Sequence, residues 1–447
     1  RATAAWLRSV SGSVLVEAAS AVISGGTASW GTATTVSAAG QDAALVDLAL
    51  SGDGTRAVAV WRRSNGANQI LQAAVASISG NTASWGAVSD LSAAGQSANL
   101  PLLGLSSAGT RATAVWRRSD GANQRVQSAS ATISGSSASW GAATDLSAAG
   151  ADAGNPYIAL SADGSAAVSI WRRTDGTNLR AQAAAATIAG SAATWGAAAN
   201  VSPAGLDAAN PRIALTADGT LALAGWRRSD GANERVQTAL GSVSGTSVGW
   251  GAPDTLSQAG QDALGNEVAL AADGSGAVVV WRRSDGANSI VQAAATRITG
   301  TATAWESPAS LSAPGQDAVG HGVAVSSDAR LAVATWNRSN GVSQVVQAAS
   351  YRYLDDAPVA RGAYCAAAGN RNPFTGAAIP AGTFLNLVRD QPAAEGWYRG
   401  ATPAVYAEGM GLTCDAVTLQ GYVAAGTTVD GTGARSPGGL YAYYRRS

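Results

Sequence analysis

Short apolar runs closed by turn signals, with no helical periodicity, follow one another along most of this chain. Between Asn155 and Ala204 the runs are Tyr157 to Leu160, Ala166 to Trp171, Arg180 to Ile188, and a last one that begins at Ala193. They are separated by Ser161-Ala162-Asp163-Gly164, by Thr174-Asp175-Gly176-Thr177-Asn178 and by Ala189-Gly190-Ser191. Asp-Gly between apolar runs is a hairpin signal. Ala181 to Ala186 has a helix-forming composition, but the glycine turns on either side leave no room for a helix. The pattern predicts an antiparallel meander of four short strands, here lettered A to D.

The meander repeats. Tryptophan stands at 6, 61, 116, 171, 226, 281 and 336, always 55 residues apart, at the end of the predicted strand B. A second series, Trp30, Trp85, Trp140, Trp195, Trp250 and Trp305, marks strand D. A unit of this length that cannot bury its own faces must stack on copies of itself, and a radial stack of four-stranded meanders is a β-propeller with strand A lining the channel. Strands B and C occur seven times, A and D six times, so blade 1 lacks its inner strand and blade 7 its outer one. The fold expected is all-β: a seven-bladed β-propeller of 55-residue repeats over residues 1–351, followed by a small disulfide-containing β-rich module over 352–447. Six or eight blades remain open if the numbering starts inside a longer chain. The opening Arg1-Ala2-Thr3-Ala4-Ala5-Trp6 reads as the middle of a repeat, so either a leader has been removed or the numbering begins within a precursor.

Charge changes the functional picture more than the fold. All 29 cations are arginine, balanced by 29 acids, and only 13% of residues are charged. Neutrality gives no global field to draw in nucleic acid or an anionic membrane. No apolar run reaches the roughly 18 residues of a spanning helix. The only two cysteines, Cys365 and Cys414, both lie in the C-terminal segment. A lone pair in such a chain reads as one disulfide, and hence as a secreted or cell-surface protein, with two idle cytosolic thiols as the alternative.

Two periodic polar positions stand out. The second residue after each strand-B Trp is arginine in every repeat: Arg8, Arg63, Arg118, Arg173, Arg228, Arg283 and Arg338. The crossover from D to the next A carries Asp42, Asp152, Asp207, Asp262 and Asp317, with Ser97 as the exception. Both sets belong to one face of a propeller, and the guanidinium fork suits a carboxylate, so a ring of Arg–Asp pairs is expected. Its structural role weighs more than the alternative, a partly cationic funnel for an acidic or sugar ligand, because what serves every blade is usually scaffold.

Ser161-Ala162-Asp163-Gly164 resembles the Asp-box of sialidase-type propellers, with Asp and Gly adjacent here and the Trp seven residues after the Gly. That resemblance implies a folding turn, not catalysis. A glycosidase needs paired carboxylates, and a sialidase a Tyr nucleophile too. The repeats hold only Glu17, Glu234, Glu267 and Glu306 and one interior Tyr, Tyr157, at scattered positions. His321, the single histidine, reads as a solvated loop residue. No metal spacing, phosphate loop or nucleophile elbow is present, so no cofactor or metal is expected. As a whole, residues 1–351 resemble the Trp-rich tandem-repeat propellers of exported bacterial proteins, through W-x-R-S-D-G-x-N, V-Q-A-A, S-W-G and L-S-A-A-G-Q-D-A. The resemblance implies fold and topology but no mechanism.

After Tyr353 the repeat stops, and both Phe, both Cys and most of the Tyr follow. Trp397-Tyr398, Tyr406, Tyr422, Tyr441, Tyr443 and Tyr444 read as the core of the module or as a contact surface. Two segments are candidates for the missing strands: 359–364 for the outer edge of blade 7 and 440–443 for the inner edge of blade 1. A donor from a second molecule would instead give self-association by strand addition. The functional expectation is a non-catalytic extracellular binding or assembly protein, with a glycan or another surface protein as partner. The alternatives are a glycan-binding lectin using the crossover face, and a glycoside-active enzyme with its site between propeller and module.

Overall fold

The structure, a computed structural model, describes residues 1–10 and 12–352 and, beyond them, the strands Gly362–Cys365, Thr383–Leu387, Gly396–Arg399 and Gly409–Thr413. Every regular element among the described residues is a strand, and the architecture is an all-β, seven-bladed propeller. The chain divides into two compact units, Arg1–Ala329 with Arg338–Ser343, and Arg330–Asn337 with Gln344–Ser447.

Blade 4 shows how the repeat folds. Strand A is Ala153–Leu160, B is Ala166–Thr174, C is Leu179–Ala189 and D is Ala192–Trp195, hydrogen-bonded in that order. A two-residue strand, Ala199–Asn200, then pairs with strand C beside Gln182 and Ala183, so D is one edge broken in the middle. The break falls at Gly196, where a Cβ would collide with the Thr246 carbonyl in the C–D turn of the next blade. The Trp-Gly dipeptide therefore marks where neighbouring blades touch backbone to backbone. Blades 2 to 6 all have this five-stranded pattern. The first sheet consists of Ala2–Val10, Ser13–Ser24 and Thr27–Trp30 with Thr34–Thr35, so its innermost strand is a B strand, as the strand count expects.

The core lies between blades. Trp61, Trp116, Trp171, Trp226 and Trp281 are fully buried. Trp171 clusters with Val115 and Val126 of blade 3 and with Leu146 of the crossover between them, while Trp195, farther out on strand D, packs on that cluster from the rim. Strand C of blade 4 buries Ala181, Ala183, Ala184, Ala185 and Ala186, and residues this small let two sheets approach closely. At the A–B turns a relay of main-chain bonds crosses the blades: Gly52 N–H to Ser107 O, Ser107 N–H to Ala162 O, Ala162 N–H to Ala217 O and Ala217 N–H to Ala272 O. In the turn of blade 4, Asp163 accepts from the Ser165 N–H and from the Ser161 and Ser165 hydroxyls, which hold its carboxyl down at about 2. The Ser-Ala-Asp-Gly turn is thus a structural device.

The crossover residues hold blades together, but not through the expected Arg–Asp pairs. The Oδ1 of Asp152 accepts the Gln124 N–H at the start of strand C in blade 3, at 2.8 Å, and its main-chain carbonyl accepts the Thr174 N–H of blade 4. Asp42, Asp207, Asp262 and Asp317 take the N–H of Val14, Leu179, Glu234 and Ser289 in the same way, and the Ser97 hydroxyl replaces the carboxylate for Gln69. The arginines donate instead to crossover carbonyls: Arg63 to Ala39, Arg118 to Ala93, Arg173 to Ala148 and Ala149, Arg228 to Ala204, Arg283 to Ala259, and Arg338 to Ala313 and Pro314. A short Asp side chain reaches the start of the neighbouring strand C and takes its first N–H. The long Arg spans the loop and satisfies its carbonyls.

The C-terminal unit also supplies a strand. Gly396–Arg399 pairs with the last repeat strand, Gln344–Arg352, with Tyr351 opposite Trp397. In blades 1 to 6 the equivalent pairs are Ala21–Trp30, Ala76–Trp85, Ala131–Trp140, Ala186–Trp195, Gly241–Trp250 and Thr296–Trp305. Tyr351 is 55 residues after Thr296, so Trp397 occupies the strand-D tryptophan register of blade 7, 92 residues after Trp305. The candidate 359–364 is corrected. Gly362–Cys365 pairs with Thr383–Leu387, which pairs in turn with Gly409–Thr413, as a separate three-stranded sheet. Cys414 and residues 440–443 lie outside the described residues.

Two tests follow from these contacts. Asp207→Ala removes the acceptor for Leu179 and should cost about 1 kcal/mol in urea unfolding, whereas Asp207→Ser, which copies blade 2 at Ser97, should cost less than half of that. Equal losses for Ala and Ser would show that the side-chain acceptor is not what matters. Removing residues 396–447 should speed amide exchange of residues 349–352 roughly tenfold or more, since the strand that pairs with them is gone; unchanged protection would contradict the pairing.

Candidate functional site

A repeat chain carries its own comparison: positions that keep their chemistry in every blade build the scaffold, and positions that change do something local. The largest change in chemistry falls at the start of strand A. One position reads Asp47, Leu102, Tyr157, Arg212, Glu267 and Gly322 through blades 2 to 7, and the position before it Val46, Pro101, Pro156, Pro211, Asn266 and His321. Sequence reasoning passed over this stretch because it weighed what recurs; the same six aligned segments contained the signal.

A shared backbone feature presents these side chains. In each of blades 2 to 6 the A–B register slips by one residue, between Ala44 and Asp47, Asn99 and Leu102, Gly154 and Tyr157, Ala209 and Arg212, and Leu264 and Glu267. Two strand-A residues oppose the single strand-B Trp, which is a β-bulge. The first bulge residue has a positive φ throughout: Leu45 at 54°, Leu100 at 52°, Asn155 at 51°, Asn210 at 49° and Gly265 at 65°. Asn and Gly adopt this conformation readily; a leucine there is strained by about 1 kcal/mol or more. The second residue has no ladder partner, which is why proline fits at 101, 156 and 211.

At the crossover-side start of the A strands, called the mouth below, Leu45, Val46, Asp47, Leu100, Pro101, Leu102, Asn155, Pro156, Tyr157, Asn210 and Arg212 line a cavity of about 340 Å³. The Arg212 guanidinium lies 3.9 Å from the centre of the Tyr157 ring and grips Glu267 through Nε and Nη2, each at 2.9 Å. Burial raises the Tyr157 hydroxyl pKa, with Arg212 acting against it and the charges of Glu267 and Asp47 adding to it. Asp47 Oδ2 accepts the Leu103 N–H of the next blade at 2.8 Å. Burial raises the Asp47 carboxyl pKa as well, against the lowering effect of the Leu103 and Leu48 amides. Asn266 is fully buried, with neither amide atom hydrogen-bonded among the described residues.

His321 is not a solvated loop residue. It sits within strand A of blade 7, Ala318–Val325, half-buried, with Nε2 bonded to the Gly265 carbonyl. Burial lowers its pKa, so the ring is neutral at pH 7 with Nε2 as donor. The structure brings none of the periodic arginines Arg63, Arg118, Arg173, Arg228, Arg283 and Arg338 into the mouth, nor Asp152, Asp207, Asp262 and Asp317. Asp152 does line a second cavity, of about 270 Å³, with Arg117, Gln124, Gly154, Arg172 and Thr174. No group of three or more metal-ligating side chains forms among the described residues. No helix there is long and apolar enough to cross a membrane.

No family model and no curated protein matches the chain. Solved structures are similar to it at low identity. A prolyl endopeptidase is 12% identical over 84% of this chain and 51% of its own, with a TM-score of 0.40. The WD40 domain of SCAP from fission yeast is 9% identical over 68% and 81%, at 0.38. The β-propeller domain of the Trilobed protease from Pyrococcus furiosus, described as having an open velcro topology, is 8% identical over 66% and 90%, at 0.27. The chain spans about half the length of the prolyl peptidases it matches.

The mouth should cost the fold stability. Asn at position 47 can still accept from Leu103 without burying a charge, so Asp47→Asn should raise the melting temperature at pH 7. The folded carboxyl binds its proton more tightly than the unfolded one. The gap between variant and wild type should therefore be smallest below the unfolded pKa and widen as pH rises through the raised folded value. Leu100→Asn, which relieves a strained φ, should stabilise by about 1 kcal/mol. Melting curves between pH 3 and 8 check both; a destabilised Asp47→Asn at neutral pH would refute the burial argument.

Proposed function

We propose that this chain is a non-catalytic, extracellular binding protein whose small ligand seats in the channel mouth on the crossover side of the propeller. The observation that carries this is the set of side chains Asp47, Leu102, Tyr157, Arg212 and Glu267, five chemistries held by one bulge geometry. A scaffold has no need of that variety, and strained Leu45 and Leu100 together with buried Asp47 are costs that a ligand would explain. The cavity falls at the low end of the roughly 300–1,000 Å³ typical of small-molecule sites. Export and a Cys365–Cys414 disulfide belong to the same reading, on the strength of cysteine usage alone.

A second reading has its own observation. Arg117 and Arg172 in the cavity between blades 3 and 4 form no ion pair among the described residues. Two guanidiniums against the single carboxylate of Asp152, beside Gln124 and Thr174, suit a carboxylate-bearing sugar, which would make the protein lectin-like.

A thermal-shift screen of small metabolites and mono- to tetrasaccharides on the full chain separates the readings. A mouth ligand at a hundred times its Kd should stabilise by about 2.7 kcal/mol. Leu45→Asn should abolish that shift while the unliganded protein melts no lower than wild type. Loss on Arg117→Ala with Arg172→Ala, and retention on Leu45→Asn, would favour the acidic-sugar reading. Turnover of a glycoside or peptide substrate would contradict the non-catalytic one.

A further inference from the structure

We infer that the mouth takes a compact organic cation, a protonated amine on an apolar body, with Asp47 as its counter-ion. The inference rests on the binding reading above and narrows it to a ligand class.

The charges around the cavity decide the sign. Arg212 is the one cation lining it, and its fork is already filled: Nε and Nη2 are held by the Glu267 carboxylate, and Nη1 donates to the Pro211 carbonyl at 3.1 Å. An incoming anion would have to break that pair to reach the guanidinium. Asp47 is the opposite case. One main-chain N–H, from Leu103, is its only side-chain partner beyond its own strand, and no cation pairs with it among the described residues. Arg212 and Glu267 cancel, so the mouth carries one uncompensated negative charge in a largely apolar setting. A carboxylate so placed gains most from a partner that brings a positive charge and a hydrogen-bond donor together, which an ammonium group does.

The walls decide the body. Leu45, Val46, Leu100, Pro101, Leu102 and Pro156 line the same cavity as Asp47 with hydrocarbon. They offer no row of donors and acceptors such as a polyhydroxy ligand needs. Asn155 and Asn210, which also line the cavity, can take a polar end of the guest. Tyr157, whose ring already carries the Arg212 guanidinium, adds a hydroxyl that bonds to no described residue and can take the guest's polar end. The strain also fits: Leu45 and Leu100 hold a conformation in which Asn155 and Asn210 would be easier, and what leucine adds there is apolar wall.

The test uses the full chain at pH 7 and low ionic strength, with hexylamine and phenethylamine as cationic probes, hexanol as neutral probe and hexanoate as anionic probe. Binding is read by calorimetry and by amide shifts at residues 45–47 and 100–102. The amines should bind and shift those amides, hexanol and hexanoate should bind more weakly, and Asp47→Asn should weaken amine binding on the order of tenfold or more. Its melting temperature, measured alongside, shows that the variant is folded. Amine affinity unchanged in Asp47→Asn, or hexanoate binding tighter than hexylamine, overturns the cation while leaving the mouth as the binding site. No shift at the mouth with any of the four probes overturns the inference and the binding reading together.

Discussion

One constraint organises the molecule: two residues of strand A must face one strand-B tryptophan. The fully buried Trp packs strand B against the preceding blade, and strand A bulges opposite it. The bulge frees one residue from the ladder and turns the next side chains inward. It makes proline tolerable at 101, 156 and 211 and demands a left-handed residue just before. Whatever faces the mouth is therefore placed by a framework that does not change from blade to blade. That is how a near-identical repeat can offer Asp in one blade and Arg in another without refolding either.

The framework itself is held by polar contacts that cross blades. The Asp152 side chain serves blade 3 while its main chain serves blade 4, and the Ser147 hydroxyl on the same crossover accepts the buried Val126 N–H. The Ser147 bond satisfies a donor that burial between sheets would otherwise leave unpaired, and the exposed Asp152 bond ties the start of a strand to the crossover. Together with the alanine-lined contacts, they let the scaffold carry a mouth that is itself locally costly. Buried Asp47 and strained Leu45 and Leu100 all line it.

Strands, turns and blade boundaries were legible in the sequence because hairpins and Trp spacing are local and the period never slips between Trp6 and Trp336. Partner choice was not legible. Arg173 and Asp152 do sit on one face, but which acceptor each finds depends on side-chain reach and on which N–H is left free. The outer strand of blade 7 was hidden for a different reason. Trp397 stands 92 residues after Trp305, so a search at a step of 55 steps over it, although it was the one Trp left without a place in the pattern. The mouth was missed because its residues share a backbone state and not a residue type. Positive φ at Leu45 and Leu100 leaves no mark in composition.

The central claim is that the repeats form the scaffold and the strand-A mouth carries the function. Amide shift mapping of the full chain against a mixed fragment library tests it most directly. Perturbations should concentrate on residues 45–47, 100–102, 155–157 and 210–212, with the B–C turns and outer strands silent. Shifts spread evenly over equivalent positions of every blade, or confined to the crossover turns, would contradict the account.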